Sequence, residues 1–144
     1  MRNLTTRKFY GIRQKHVNAE AWHIYGYKFF ENQKSLDILC GYAAEDLFSH
    51  TFDIIVPIKP RDSGSDLVLQ LAEHVSSKFG WELLDILRPG NKTLTSKQSL
   101  KGKNVLIIDD VYYTGKTVKG AYTALKRLNP KLIMFYAIAR STTR

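Results

Sequence analysis

The chain has 144 residues, 44% hydrophobic and 24% charged, the composition of one globular domain with a single core. No apolar run approaches the roughly 18 residues of a membrane helix. Residues 1–15 are basic without an apolar segment, which is no signal-peptide pattern. The one cysteine, Cys40, rules out an internal disulfide and fits a reducing compartment, so a cytoplasmic protein with no membrane partner is expected. The net charge of +9 is clustered: residues 1–16 and 88–103 each hold five Lys/Arg and no acid. Such clusters suit a polyphosphate ligand or a nucleic acid, or are simply a solvated surface. No familiar nucleic-acid recognition motif is visible.

Residues 1–20 show no periodicity and read as loop. Within 21–30, Tyr25, Tyr27 and Phe29 alternate, which predicts an edge strand; aromatics beside a basic arm can also stack bases. Residues 34–50 have helical spacing, with Leu36, Leu39, Cys40, Ala43, Ala44, Leu47 and Phe48 on one stripe and Ser35 placed to cap the start. Cys40 on that stripe reads as a small buried hydrophobe. Residues 52–58 form a second apolar strand, ended by Pro57 and Pro60. The turn 59–65 carries Lys59, Arg61, Gly64 and two serines, and a helix follows with Leu67, Leu71, Val75 and Phe79 at i, i+4. Strand, cationic Gly/Ser turn and helix start form either an anion-binding arrangement or a plain connection.

Residues 82–87 read as a third strand. Residues 88–103 contain Pro89-Gly90, Asn91 and Gly102 but no apolar face. That loop is longer than a normal connection and reads as a mobile lid carrying Arg88, Lys92 and Lys97, or as a basic linker. A buried strand over 105–109 comes next, then a turn and a helix from about Thr117 using Val118, Ala121, Tyr122, Leu125 and Leu128. Pro130 stops it, and 132–139 is a last buried strand. Strands alternating with helices imply an α/β fold, an open parallel sheet flanked by helices with right-handed crossovers. Its ligands belong beyond the carboxyl ends of the strands. A single domain over 1–144 is expected, with 51–144 the core and 1–50 an arm or small hood over the site.

The chemistry concentrates in residues 105–117. Val105-Leu106-Ile107-Ile108 reads as a strand covered on both faces. Asp109 and Asp110 stand where it should end, and Tyr113-Thr114-Gly115-Lys116-Thr117 leads into the helix. Unsatisfied N–H groups at a helix N-terminus bind anions, and Gly115 permits close backbone approach. Thr114 and Thr117 add hydroxyls and Lys116 adds charge. The acid pair suits vicinal hydroxyls, or Mg²⁺ held directly or through water. Phosphate at one end and a diol at the other describe a ribose 5-phosphate. A Walker P-loop needs a glycine five residues before Gly115; that position is Asp110.

This run closely resembles the PRPP-binding motif of the type I phosphoribosyltransferases: apolar strand, two acids, then Thr-Gly-x-Thr. Over about 52–140 the chain looks most like the ComF-type branch, through Phe52-Asp53-Ile54-Ile55-Val56-Pro57, the lead-in at 100–102 and Tyr136-Ala137-Ile138-Ala139-Arg140. It departs from that branch after the 59–65 turn, where Asp62-Ser63-Gly64-Ser65-Asp66 replaces an Arg-Gly-Phe-Asn-like run. The resemblance implies transfer of ribose 5-phosphate from PRPP, with Mg²⁺, to an unidentified acceptor and release of pyrophosphate. It places Asp109 and Asp110 at the ribose hydroxyls and the metal. Residues Tyr113, Thr114, Gly115, Lys116 and Thr117 fall at the 5-phosphate, Lys59 and Arg61 at pyrophosphate, and Arg88, Lys92 and Lys97 on the flexible loop. The alternative is a non-catalytic PRPP- or phosphate-binding module, in ComF-like fashion handling single-stranded DNA; a homodimer is left open. In 6-oxopurine members of the superfamily an acid precedes the Thr-Gly-x-Thr turn. Here it is Tyr113, whose reference pKa of about 10 makes it a poor general base at pH 7, so little transfer to hypoxanthine or guanine is expected.

Overall fold

The structure is a computed structural model that describes residues 17–60 and 65–140, with side chains from residue 23 onward. Its sheet is built on β3 (Asn104–Tyr112). On one side β3 pairs in parallel with β1 (Ile54–Pro57), on the other with β4 (Leu132–Arg140). The two-residue β2 (Glu82–Leu83) adds beyond β1, giving the order β2-β1-β3-β4, parallel throughout. Ile54, Ile55, Val56 and residues Val105 to Ile108 are at most 2% exposed. Continuous apolar runs, with no polar alternation, are what strands covered on both faces require.

Among the described residues four helices cover the sheet: α1 (Val17–Phe30), α2 (Gln33–Leu47), α3 (Leu67–Phe79) and α4 (Lys116–Lys126). The β1-α3-β2 crossover steps one way along the sheet and the β3-α4-β4 crossover steps the other. Right-handed connections in opposite directions put α3 and α4 on opposite faces. The strand order therefore reverses between β1 and β3, and a crevice opens at their carboxyl ends. Helices α1 and α2 join α3 and also touch β4, where the Tyr136 hydroxyl donates to Asp46 Oδ2 at 2.7 Å.

Several sequence expectations need correction. The predicted strand over 21–30 lies in α1. Over five residues the aromatic alternation also satisfies an i, i+4 pair, and Tyr25 and Phe29 stack at 5.7 Å along one helical face. The loop expected over 1–20 is helical from Val17; residues 1–16 lie outside those described. Helix α2 is capped by Asn32, whose side chain accepts from Lys34 N and Ser35 N at 3.0 and 3.2 Å. Ser35, expected as the cap, is buried and lies 3.1 Å from His23 Nδ1. Phe48, expected on the buried stripe, is 76% exposed. The third strand stops at Leu83, and Leu87 instead forms an antiparallel bridge with Leu94. Strand β3 runs past the acid pair to Tyr112, still paired with β4.

The loop 88–103 does have inward-facing residues. Leu100 is 1% exposed, Asn91 4%, and Leu94 packs on the core. Cys40 is buried and free as expected, and burial pushes its thiol up to about 11. Among the described residues no helix is long and apolar enough to cross a membrane.

Candidate active site

A cleft of about 210 Å³ opens at the carboxyl ends of β1 and β3. It is lined by residues 58–60, by Gly90 and Asn91, by every residue from Asp109 to Val118, and by Phe135. Asp109 and Asp110 point to opposite faces of β3, as successive strand residues must. Backbone N–H groups hold one oxygen of each: Asp110 N donates to Asp109 Oδ1 at 2.8 Å and Val111 N to Asp110 Oδ1 at 2.7 Å. Asp110 is 6% exposed, and its Oδ2 lies 2.7 Å from Lys28 Nζ with no hydrogen-bond partner in line. Burial, and then the neighbouring Asp110, push the Asp109 carboxyl well above the ordinary carboxylate range. Burial works against the Lys28 charge, but the Asp110 carboxylate outweighs it and the net shift of the ammonium is upward.

The opposite end of the cleft is the N-terminus of α4. Its cap residue, Gly115, has φ +87° and no side chain caps the helix, so first-turn N–H groups are left for a ligand. Thr114 Oγ1 accepts from Lys116 N at 3.3 Å, rounding the turn. The backbone angle at position 115 favours glycine, and a Cβ there would stand 2.7 Å from the Tyr112 hydroxyl and push that side chain aside. Tyr113 is 61% exposed at the rim.

Lys59 borders the cleft, but its ammonium is engaged with both oxygens of Asp85, at 2.7 and 2.9 Å. Its backbone is held by Asn91: Lys59 N donates to Oδ1 at 2.8 Å and Nδ2 donates to Lys59 O at 2.9 Å. Arg61 lies outside the described residues. Arg88, Lys92 and Lys97 are exposed and do not line the cleft. Arg88 Nε donates to Leu94 O at 3.2 Å, and Lys92 packs over α4 at Gly120.

Sequence reasoning missed Lys28 and Asn91. Nothing local marks Lys28, a lysine in the last turn of a helix read as a strand. Asn91 had a signal: it follows Pro89-Gly90, and asparagine is the residue that tolerates the φ of +60° it adopts there.

Residues 29–144 match the family described as phosphoribosyl transferase domain. The chain belongs to that family. The fold agrees with solved phosphoribosyltransferases. A purine phosphoribosyltransferase from Pyrococcus horikoshii is 23% identical, with a TM-score of 0.54, and the match covers 74% of this chain and 82% of that one. An adenine phosphoribosyltransferase from Thermoanaerobacter pseudethanolicus is 15% identical, with a TM-score of 0.59 over 78% and 83%. UMP synthase from Leishmania donovani is 19% identical, with a TM-score of 0.57 over 77% of this chain and 28% of that one. At these identities the likeness concerns the fold.

Within this phosphoribosyltransferase domain, no group of three or more His, Cys, Asp or Glu among the described residues encloses a metal. Two adjacent carboxylates at the cleft still fit Mg²⁺ by the chemistry of their oxygens. That ion keeps several waters and takes one or two carboxylates together with substrate phosphates.

Proposed function

We propose that the chain binds PRPP with Mg²⁺ and transfers its ribose 5-phosphate to an acceptor, releasing pyrophosphate. One observation carries this reading: a single cleft has an acid pair at one end and an uncapped helix N-terminus at the other. In this reading the 5-phosphate sits on Tyr113 to Thr117, where N–H groups, hydroxyls and Lys116 converge. Asp109 and Asp110 take the ribose hydroxyls and favour positive charge as the C1–oxygen bond to pyrophosphate breaks. Lys59, on leaving Asp85, and Arg61 face the pyrophosphate. Lys97 brings charge when the free part of the loop closes, while Arg88 and Lys92 add positive field from its anchored part. Asp109 and Asp110 would hold Mg²⁺, largely through PRPP and water, and the ion would supply charge neutralisation for the leaving group. The acceptor nucleophile then reaches C1 in a site shielded from water.

Calorimetry with PRPP, with and without Mg²⁺, tests the reading. Binding that needs Mg²⁺ is expected, with ribose 5-phosphate weaker. Removing both carboxylates as Asp109→Asn with Asp110→Asn should cost roughly 1.5–3 kcal/mol per lost charged hydrogen bond. No heat and no thermal shift at millimolar PRPP would overturn it. The net charge of +9 favours a second reading, a PRPP-binding module that engages nucleic acid without transfer. Pyrophosphate release across a panel of purines, pyrimidines and ammonia separates the two. Transfer to hypoxanthine or guanine should be poor, because Tyr113 stands where an acid would be needed. Silence across the panel, with salt-sensitive DNA binding, would favour the module.

A further inference from the structure

Asp110 is the more fully engaged of the two acids. Val111 N–H takes Oδ1 and the Lys28 ammonium stands 2.7 Å from Oδ2. The residue is almost fully buried, so a ligand hydroxyl can use Oδ2 only by displacing that ammonium. Lys28 arrives from the last turn of α1. Its neighbour Tyr27 donates its hydroxyl to Asp66 Oδ1 at 2.8 Å, and Asp66 is the cap of α3 at the far side of the 59–65 turn. One turn of α1 therefore reaches both β3, at the cleft, and the start of α3, through polar side-chain tips.

The Lys28–Asp110 pair suits a ligand-free site and opposes a reacting one. An ammonium against Asp110 cancels the negative field that would favour positive charge on the sugar. It also occupies the oxygen a ribose hydroxyl or a metal-bound water would take. A phosphate-rich ligand offers Lys28 a stronger partner, and a flexible four-carbon stem with three donors can change partners without moving its helix.

We propose that Lys28 is a substrate-binding residue held in reserve: it pairs with Asp110 in the ligand-free protein and transfers to an anionic oxygen of bound PRPP, which frees Asp110 for the sugar. This rests on the PRPP reading above. The test uses the full chain, Mg²⁺-PRPP as the probe, and the variants Lys28→Met, Lys28→Arg, Asp110→Asn and Lys28→Met with Asp110→Asn. Calorimetry should show PRPP affinity falling roughly ten- to hundredfold in Lys28→Met and recovering in large part in Lys28→Arg. A double-mutant cycle on thermal stability should show positions 28 and 110 coupled without ligand and uncoupled at saturating PRPP. If Lys28→Met does not fold, Lys28→Gln serves in the same comparisons. Wild-type affinity in Lys28→Met, or coupling that survives saturation, would overturn the transfer of Lys28. Failure of the wild-type protein itself to bind PRPP would overturn the reading on which it rests.

Discussion

Ionising Asp109 in its place carries a cost, and that cost can be measured. Burial and the adjacent Asp110 raise its carboxyl well above 3.8, its ordinary value. A group whose folded pKa lies above its unfolded one binds its proton more tightly in the folded state. Its contribution to stability is fully present below the unfolded value and is lost as pH rises through the folded value. In the ligand-free protein with chelator present, stability should therefore decline as pH climbs from about 4 through the raised pKa. Asp109→Asn should flatten that decline and raise the thermal midpoint at pH 7 while weakening PRPP binding. A variant less stable than wild type at pH 7 would show that Asp109 is not held against repulsion. The place of the acid pair in the cleft was legible in the sequence because two acids follow directly on a buried apolar run. Lys28 was not, because its meaning depends on where α1 lands, some 80 positions away in the chain from the acid it meets.

At the scale of elements, the loop 88–103 divides into anchored and free parts. Asn91 replaces backbone pairing for Lys59 with both of its side-chain groups. Thr95 N donates to Ile86 O at 2.8 Å, and Leu100 is buried. Residues 96–99 are tied locally instead: Ser96 accepts from Gln98 N and Ser99 from Lys101 N. Asn91→Leu should cost roughly 1–3 kcal/mol, because it leaves the Lys59 N–H and C=O unpaired, and should speed amide exchange at both ends of the 59–65 turn. In the wild-type protein, PRPP should add exchange protection at 96–99 and little at 88–95, which is already held. Equal exchange at 96–99 with and without ligand would argue for a plain linker. The sheet was readable because runs such as Val105 to Ile108 admit one interpretation at their length. Helix α1 was not, since five residues of alternating aromatics satisfy period two and i, i+4 equally. The loop's anchors were hidden because a single asparagine and two leucines make no pattern.

At the scale of the whole molecule, the amino-terminal helices and the sheet share one interior. Ile24 of α1 and Leu36, Leu39 and Leu47 of α2 belong to the same buried cluster as Ile55, Leu71, Ile107 and Tyr136. Burying those four aliphatic side chains is worth roughly 6–12 kcal/mol at about 1.5–3 each, comparable with the whole stability of a typical domain, about 5–15 kcal/mol. A core that lost them would not stand by itself, so residues 17–140 should unfold in one step. In native-state hydrogen exchange under increasing denaturant, the slowest amides of α2 and of β3 should converge on one opening free energy. Leu39→Ala, a cavity at the junction, should lower both together by about 2–5 kcal/mol. If it lowered α2 alone and left β3 untouched, the amino-terminal helices would be a separable cap, and the Lys28 contact with Asp110 would be a docking contact between units.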